Sequence, residues 1–488
     1  MKKNNIIDIH INFFLIFLTF VNLIVIYISR IGFNYEFLPL FKGSLTFIFL
    51  IFSYETFKFI KFEIFKNRFV CFLFALLLIF ISNKIKIFFG IDISYLIFFI
   101  ALFQVIYFFK NNFLILFDIK ILILFFFLFS IWSCSAYYSN HFIHPLMYEK
   151  IITGSWAHRD ELFHSALSGM IKTYDNFSNG INGLQEIYYH YFSHYFIAQL
   201  SEFLNINTIE MYSVIYPILL IPIFFYTFFY LCSNCITILN KNIFYEDNKL
   251  FFWIFSFVLF ILPLPMYWLS ENYQYLRSQS YNIGLSFTFI LISLTISFYL
   301  NVINKNISKF TLSDYTHFVI LLLLFLIISI SKFSLLYFAF MSFGFFYLRL
   351  KLFEYIIYNI IIISIIVISL LIYYNIIYNF QLNWGAHGFE ISYISRLFNN
   401  PYSGPYYKYL IPTFFYILIT SILLKLYDIK TLIYNIKNKN ILDIEFLFIL
   451  IFILYLFPYS FTGGIQIYIC YFIMLVNLDK IYKFLFNK

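Results

Sequence analysis

The chain has 488 residues, of which 62% are hydrophobic, 25% aromatic and only 11% charged. Soluble domains run roughly half apolar and a quarter charged, so a soluble enzyme, a secreted disulfide scaffold and a nucleic-acid binder are excluded. The net charge of +9, from 32 Lys and Arg against 23 Asp and Glu, belongs on the cytoplasmic face of a membrane protein rather than marking an anionic partner.

In chain order, apolar segments long enough to cross a bilayer are predicted near 11–31, 43–60, 69–87 and 93–109, with a further one at 119–138. A polar stretch over 139–186 follows. Beyond it lie 187–204, 212–238, 250–269, 283–304, 315–331, 333–349 and 356–378. A second polar stretch at 380–407 precedes 408–426, 442–460 and 465–479. The fold class is therefore all-α and polytopic. No linker rich in Pro, Gly or Ser divides the chain, and a soft boundary falls near residue 118, between four spans poor in polar residues and everything after them.

Orientation follows from Lys and Arg in short loops. Lys2 and Lys3, then Lys58, Lys61, Lys66 and Arg68, then Lys110 and Lys120 mark the cytoplasmic side, as do Lys305, Lys309, Lys425, Lys430, Lys480 and Lys483. Both termini are then inside, and 139–186 and 380–407 are outer loops. An even number of crossings is required, so one segment must not cross. The best candidate is 187–204, whose His190, His194, Gln199 and Glu202 are costly in hydrocarbon unless they face protein or water. The count becomes about fourteen. The rival reading keeps 187–204 as a span and makes 315–349 one element broken at Ser331-Lys332.

Within the first outer loop, Leu162, Ala166, Leu167, Met170 and Ile171 recur at helical steps, predicting an amphipathic helix over Glu161–Lys172 that lies along the membrane surface. Arg159, Asp160, Glu161 and His164 crowd its start. Asp160 is either a plain N-cap or part of a site. Asp160 and His164 share a helix face, as do His190 and His194. Two carboxylates beside Arg and His have the chemistry for general-base work, or for holding a divalent ion next to a phosphate. Six Arg occur against 26 Lys, and Arg159, Arg277 and Arg396 lie in outer loops, where the charge bias disfavours them. Such forks match phosphate oxygens, though interfacial anchoring accounts for each singly. Lys332 interrupts an apolar stretch, which calls for a cavity, a partner or a tight turn. Trp384, His387, Glu390 and Tyr402 in the second loop suit sugar faces or an interfacial belt. Cys232 and Cys235, without a second pair, read as packing.

At Asp160-Glu161 the chain resembles the GT-C superfamily of membrane glycosyltransferases. The resemblance rests on the acidic pair in a first large outer loop at the start of a surface helix, after an outward-going span. The string Asp160-Glu161-Leu162-Phe163-His164 and the run Tyr189-His190 to Ser193-His194 are similar to uncharacterised bacterial members. It is specific over about 50 residues and diffuse over roughly 119–478. It implies a catalytic unit over 119–488 in the bacterial inner membrane, with 1–118 as an N-terminal addition that departs from the common plan. The implied reaction moves a sugar from a polyprenyl-phosphate donor to a glycan, lipid or protein acceptor, as in surface-polysaccharide assembly. Asp160 is then the catalytic base, assisted by Glu161 through positioning or a divalent metal. Arg159, Arg277 and Lys332 are the groups for the donor phosphate, with His164, His190, His194 and Arg396 completing the substrate-binding set. Two other readings stay open. One is a polysaccharide polymerase or ligase of the O-antigen type, centred on Arg159 and Arg396. The other is a transporter or flippase.

Overall fold

A computed structural model describes residues 5–33, 35–60, 62–112, 159–178, 191–239, 279–305 and 312–331, together with scattered positions from 335 to 371. The described residues fold into helices and form no extended strand. They comprise α1 (Asn5–Arg30), α2 (Phe37–Ile51), α3 (Ser53–Phe57), α4 (Arg68–Phe89), α5 (Ser94–Asn112), α6 (Arg159–Tyr174), α7 (Tyr191–Leu204), α8 (Tyr216–Leu239), α9 (Gln279–Lys305) and α10 (Leu312–Ser331). Among them, Ile7–Arg30, Arg68–Phe89, Ser94–Asn112, Thr208–Asn234 and Gln279–Ser297 are long and apolar enough to cross a membrane. These are the helices of an integral membrane protein.

Local chemistry sets the ends. The Asn67 side chain accepts from the amides of Phe69 and Val70 at 2.9 and 3.4 Å, capping α4. Gly90 stops the same helix at φ +68, a conformation that glycine adopts without strain. Asp175 and Asn205 close α6 and α7 at φ +52 and +56, short polar residues being those that tolerate this region. The expected unbroken span over 43–60 is instead two helices, because the chain leaves helical geometry at Phe52. The Phe52 carbonyl is met there by the Gln104 amide at 3.4 Å. A short helix at Thr208–Glu210 runs into a π-helical turn at Met211–Ile215 before α8 begins. Pro217, in the first turn of α8, supplies the reason: it lacks an N–H and its ring crowds the carbonyl four residues back, so the preceding turn widens.

Side-chain contacts give each helix a direction. Arg68 donates to Asp8 and to Tyr230, both at 2.8 Å, so the starts of α1 and α4 and the later part of α8 share one end of the bundle, the Arg68 end. At the opposite end, α7 runs alongside the second half of α4 in the same direction. Phe80 meets Tyr195 and Phe196, Asn83 donates to the Gln199 carbonyl at 2.7 Å, and Lys86 reaches Glu202 at 4.0 Å. The 14 residues described for α7 cover about 21 Å at 1.5 Å per residue. Phe289 packs on Phe224 and Phe228 and Gln279 approaches Tyr212, so α9 runs down beside α8. Helix α10 returns: Gly284 lies against Ser331 and Leu335, and a Cβ at Gly284 would collide with Leu335.

One apolar core joins the early and late helices. Phe14 of α1 packs on Phe225 and Phe229 of α8, Phe72 stacks on Tyr226, and Phe98 meets Phe203. Helices α1 to α5 therefore share their packing with α7 to α10. Helix α8 is central, buried from Met211 through Cys232. Helix α5 is peripheral and turns Phe99, Phe103, Ile106 and Tyr107 outward, as a lipid-facing helix does. Of the sequence-based spans, 119–138, 250–269, 408–426, 442–460 and 465–479 lie outside the described residues, as does the outer loop 380–407.

Candidate functional site

The surface helix predicted over Glu161–Lys172 is observed as α6, Arg159–Tyr174. Asp160, expected at or just before the start, and Glu161, expected as the first residue, are thus its second and third residues. Carboxylates in a first turn complement the positive end of the helix dipole. Helix α6 does not simply lie on a surface. It inserts one face, with Ser165, Leu167, Ser168 and Ile171 buried, against α7 and the π-helical turn, while Ala166, Thr173 and Tyr174 are exposed.

That inserted face carries polar chemistry. The Ser165 hydroxyl donates to Thr208 Oγ1 at 3.0 Å, and Thr208 donates to the Ser165 carbonyl at 2.9 Å. One turn on, Ser168 Oγ, Tyr212 OH and His194 Nδ1 form a triangle with sides of 3.1, 3.2 and 3.4 Å. The π-helical turn is what aims the Tyr212 hydroxyl there. The His194 ring stacks on His164, centroids 5.0 Å apart and planes 23° from parallel, and meets Phe177 at 5.4 Å. His194 is fully buried. Burial, reinforced by His164, holds its pKa well below the usual imidazole value, so the ring is neutral near pH 7. From His194 to Glu202 is eight residues, so the cluster lies about 12 Å inside the end of the bundle.

A second group of contacts clamps α6 in place. Lys172 donates to the Ile206 carbonyl at 2.6 Å and to Ser201 Oγ at 3.2 Å, and it faces Glu202 at 3.7 Å. Ser201 Oγ donates to the same Ile206 carbonyl at 2.7 Å, so Lys172 and Ser201 together hold the turn that follows α7. Burial lowers the Lys172 pKa and the Glu202 carboxylate opposes that shift. Lys86 bridges Glu202 and Asp92, each at 4.0 Å, tying the α4–α5 turn to the same network.

Of the residues singled out in the sequence, the structure brings His164 and His194 together, across two helices rather than along one. The backbone of Arg159, Asp160 and Glu161 lies one helical turn before His164. His190, Arg277, Lys332 and Arg396 fall outside the described residues. One of their neighbours reaches the cluster: Gln279, two residues after Arg277, approaches Tyr212. Ser331, just before Lys332, lies beside Gly284 of α9. Ser168, Tyr212, Lys172 and Gln279 carried no flag in the sequence. For Ser168 a signal existed, four residues after His164 on the same face. Among the described residues no group of three or more His, Cys, Asp or Glu gathers to hold a metal ion. Stacked imidazoles present faces to each other, not converging nitrogens.

At the Arg68 end the polar chemistry is different. The Arg68 guanidinium donates to both Asp8 and Tyr230, and its faces meet the rings of Tyr54 and Tyr230 at 4.9 and 5.3 Å. Glu55 pairs with Lys58 beside it.

Searches of family models, of curated proteins and of solved structures return no match to the chain.

Proposed function

We propose that the chain is an integral membrane glycosyltransferase of GT-C type, moving a sugar from a polyprenyl-phosphate donor to a glycan, lipid or protein acceptor. The observation that carries this reading is the insertion of α6. A helix opening with Arg159-Asp160-Glu161 plants its next turn, His164 and Ser168, on His194 and Tyr212 inside the bundle. An acidic pair one helical turn from a buried polar cluster, beside apolar helices, suits chemistry between an acceptor hydroxyl and a lipid-borne phosphate. In this reading the fold has about fourteen crossings, with α7 not crossing. The Arg68 end and both termini face the cytoplasm of a bacterial inner membrane, residues 1–118 are an addition to the catalytic unit, and the site opens outward.

Asp160 takes the proton of the acceptor hydroxyl as that oxygen attacks the anomeric carbon. The bond from that carbon to the phosphate oxygen breaks, and its electron pair leaves with the polyprenyl phosphate. Arg159, Arg277 and Lys332 are the cations available to meet the developing charge. Glu161 positions Asp160 or holds a divalent ion. Arg396 and His190 belong to the wall around the substrate.

The test is Asp160→Asn in purified full-length protein in lipid nanodiscs, assayed with a panel of prenyl-phosphate hexoses. Loss of a general base costs about 100- to 10,000-fold in turnover, with the thermal midpoint unchanged. Retention of near wild-type turnover overturns the assignment and favours an arginine-centred polymerase or ligase, for which Arg159→Lys and Arg396→Lys are then the damaging changes.

A further inference from the structure

Three buried nitrogens near the inserted face of α6 have no hydrogen-bond partner among the described residues: His194 Nε2, Gln279 Nε2 and Asn282 Nδ2. His194 and Asn282 are 0% and 1% exposed, and Gln279 4%. They belong to one neighbourhood. His194 Nδ1 lies 3.2 Å from Tyr212 OH, Gln279 approaches that same hydroxyl, and Asn282 is three residues along α9, on the adjoining part of its face. A buried polar nitrogen left without a partner is costly, and three so close together call for a common one.

The neighbourhood also shows what kind of partner. Two hydroxyls, Ser168 and Tyr212, face His194 Nδ1. With Nδ1 occupied by these hydroxyls, Nε2 is the ring nitrogen left for a ligand, beside the two amides. The flanking groups are His164, Phe177 and the Ser168–Tyr212 pair, and the Lys172 ammonium is turned to Ser201 and Ile206. Neutral polar groups against aromatic faces match an uncharged group rich in hydroxyls.

We propose that His194, Tyr212, Gln279 and Asn282 form a sugar-binding subsite, hydrogen-bonding the hydroxyl groups of the transferred glycosyl group. This rests on the glycosyltransferase reading and specifies which part of the donor the cluster takes: the sugar, and not the phosphate. The π-helical turn then has a purpose beyond accommodating Pro217, since it places a hydroxyl between helices α7 and α9, where a plain α-helical turn would direct it elsewhere.

The probes are farnesyl phosphate and farnesyl phosphate carrying glucose, mannose, galactose or N-acetylglucosamine, titrated against full-length protein in nanodiscs. The sugar contribution is the ratio of the two affinities. For at least one sugar, wild type should bind the sugar-bearing probe about tenfold or more tighter than farnesyl phosphate. Tyr212→Phe and Gln279→Leu, on different helices, should each cut that ratio about five- to tenfold while leaving farnesyl phosphate binding unchanged. If the ratio is unchanged in both variants, or if both probes weaken equally, the subsite is overturned and the glycosyltransferase reading stands. If no sugar-bearing probe outbinds farnesyl phosphate in wild type, the glycosyltransferase reading itself falls, and the subsite with it.

Discussion

The bundle has a buried polar cluster at each end, and the two are built on opposite plans. At one end Arg68 is engaged from within: Asp8 and Tyr230 each accept from it and two tyrosine rings cover its faces. At the other, His194 is held on one nitrogen by Ser168 and Tyr212, while its second nitrogen has no partner among the described residues. A charged group bonded from within ties helices together. A neutral group held on one side keeps its orientation and leaves a nitrogen for something else. The contrast separates a cluster closed on itself from one with a nitrogen to spare without reference to which residues are charged.

The largest effect that can break this comparison is at Arg68. Arg68→Met strands the Asp8 carboxylate and the Tyr230 hydroxyl between α1, α4 and α8, and breaking such a partly buried pair costs about 3 kcal/mol. The thermal midpoint of the purified protein should fall by several degrees. Adding Asp8→Asn should restore part of the loss, because the uncompensated carboxylate is gone. Turnover per folded molecule should not change. A selective loss of turnover with an unshifted midpoint makes Arg68 functional and collapses the distinction between the two ends.

A smaller effect is expected at Lys172, whose bonds to Ile206 and Ser201 hold α6 on the end of α7. Lys172→Met keeps the length and apolar stem while removing the charge-assisted bonds, costing about 1–2 kcal/mol. Because the clamp is local, the loss should appear as faster hydrogen exchange in 159–174 rather than as global unfolding. Equal acceleration in α1 and α4 argues that α6 is part of the core and not a docked element.

Much of the scaffold is legible from hydropathy. The segments expected at 69–87 and 93–109 appear as Arg68–Phe89 and Ser94–Asn112, since a long apolar run has few alternatives in a bilayer. The break at Phe52 and the π-helical turn were not legible, because each depends on a contact with a residue distant in sequence or on a ring clash within one turn. The site divides similarly. His164 and His194 stand out because histidines are rare here, yet spacing paired Asp160 with His164 and His190 with His194 along single helices. The stack of His164 on His194 links residues 30 apart and needs the fold. Ser168, Tyr212 and Gln279 carry no charge, and in a chain with 44 Tyr no single one draws notice. Side-chain positions at Asp160 and Glu161 lie outside the described residues, so the acidic pair rests on its place in α6 alone.

The smallest effect sharpens the comparison most, because it asks whether His194 is neutral. Burial and the neighbouring His164 depress its pKa in the folded protein, whereas in the unfolded chain it titrates near 6.5. As pH falls below about 6.5 the unfolded state takes up a proton that the folded state refuses, so stability is fully present above that pH and is lost below it, toward the depressed folded value. The midpoint should be flat from pH 8 to 7 and decline from 6.5 to 5. His164 faces the same ring and contributes to any decline, so the informative quantity is the difference on removing His194. His194→Phe retains a ring between His164 and Phe177 and should make the acid limb shallower by up to one proton, about 1.4 kcal/mol per pH unit. If wild type and variant decline in parallel, His194 is charged or hydrated in the folded protein. A charged imidazole would belong with a phosphate rather than a sugar, and the two ends of the bundle would then differ in their partners and not in their plan.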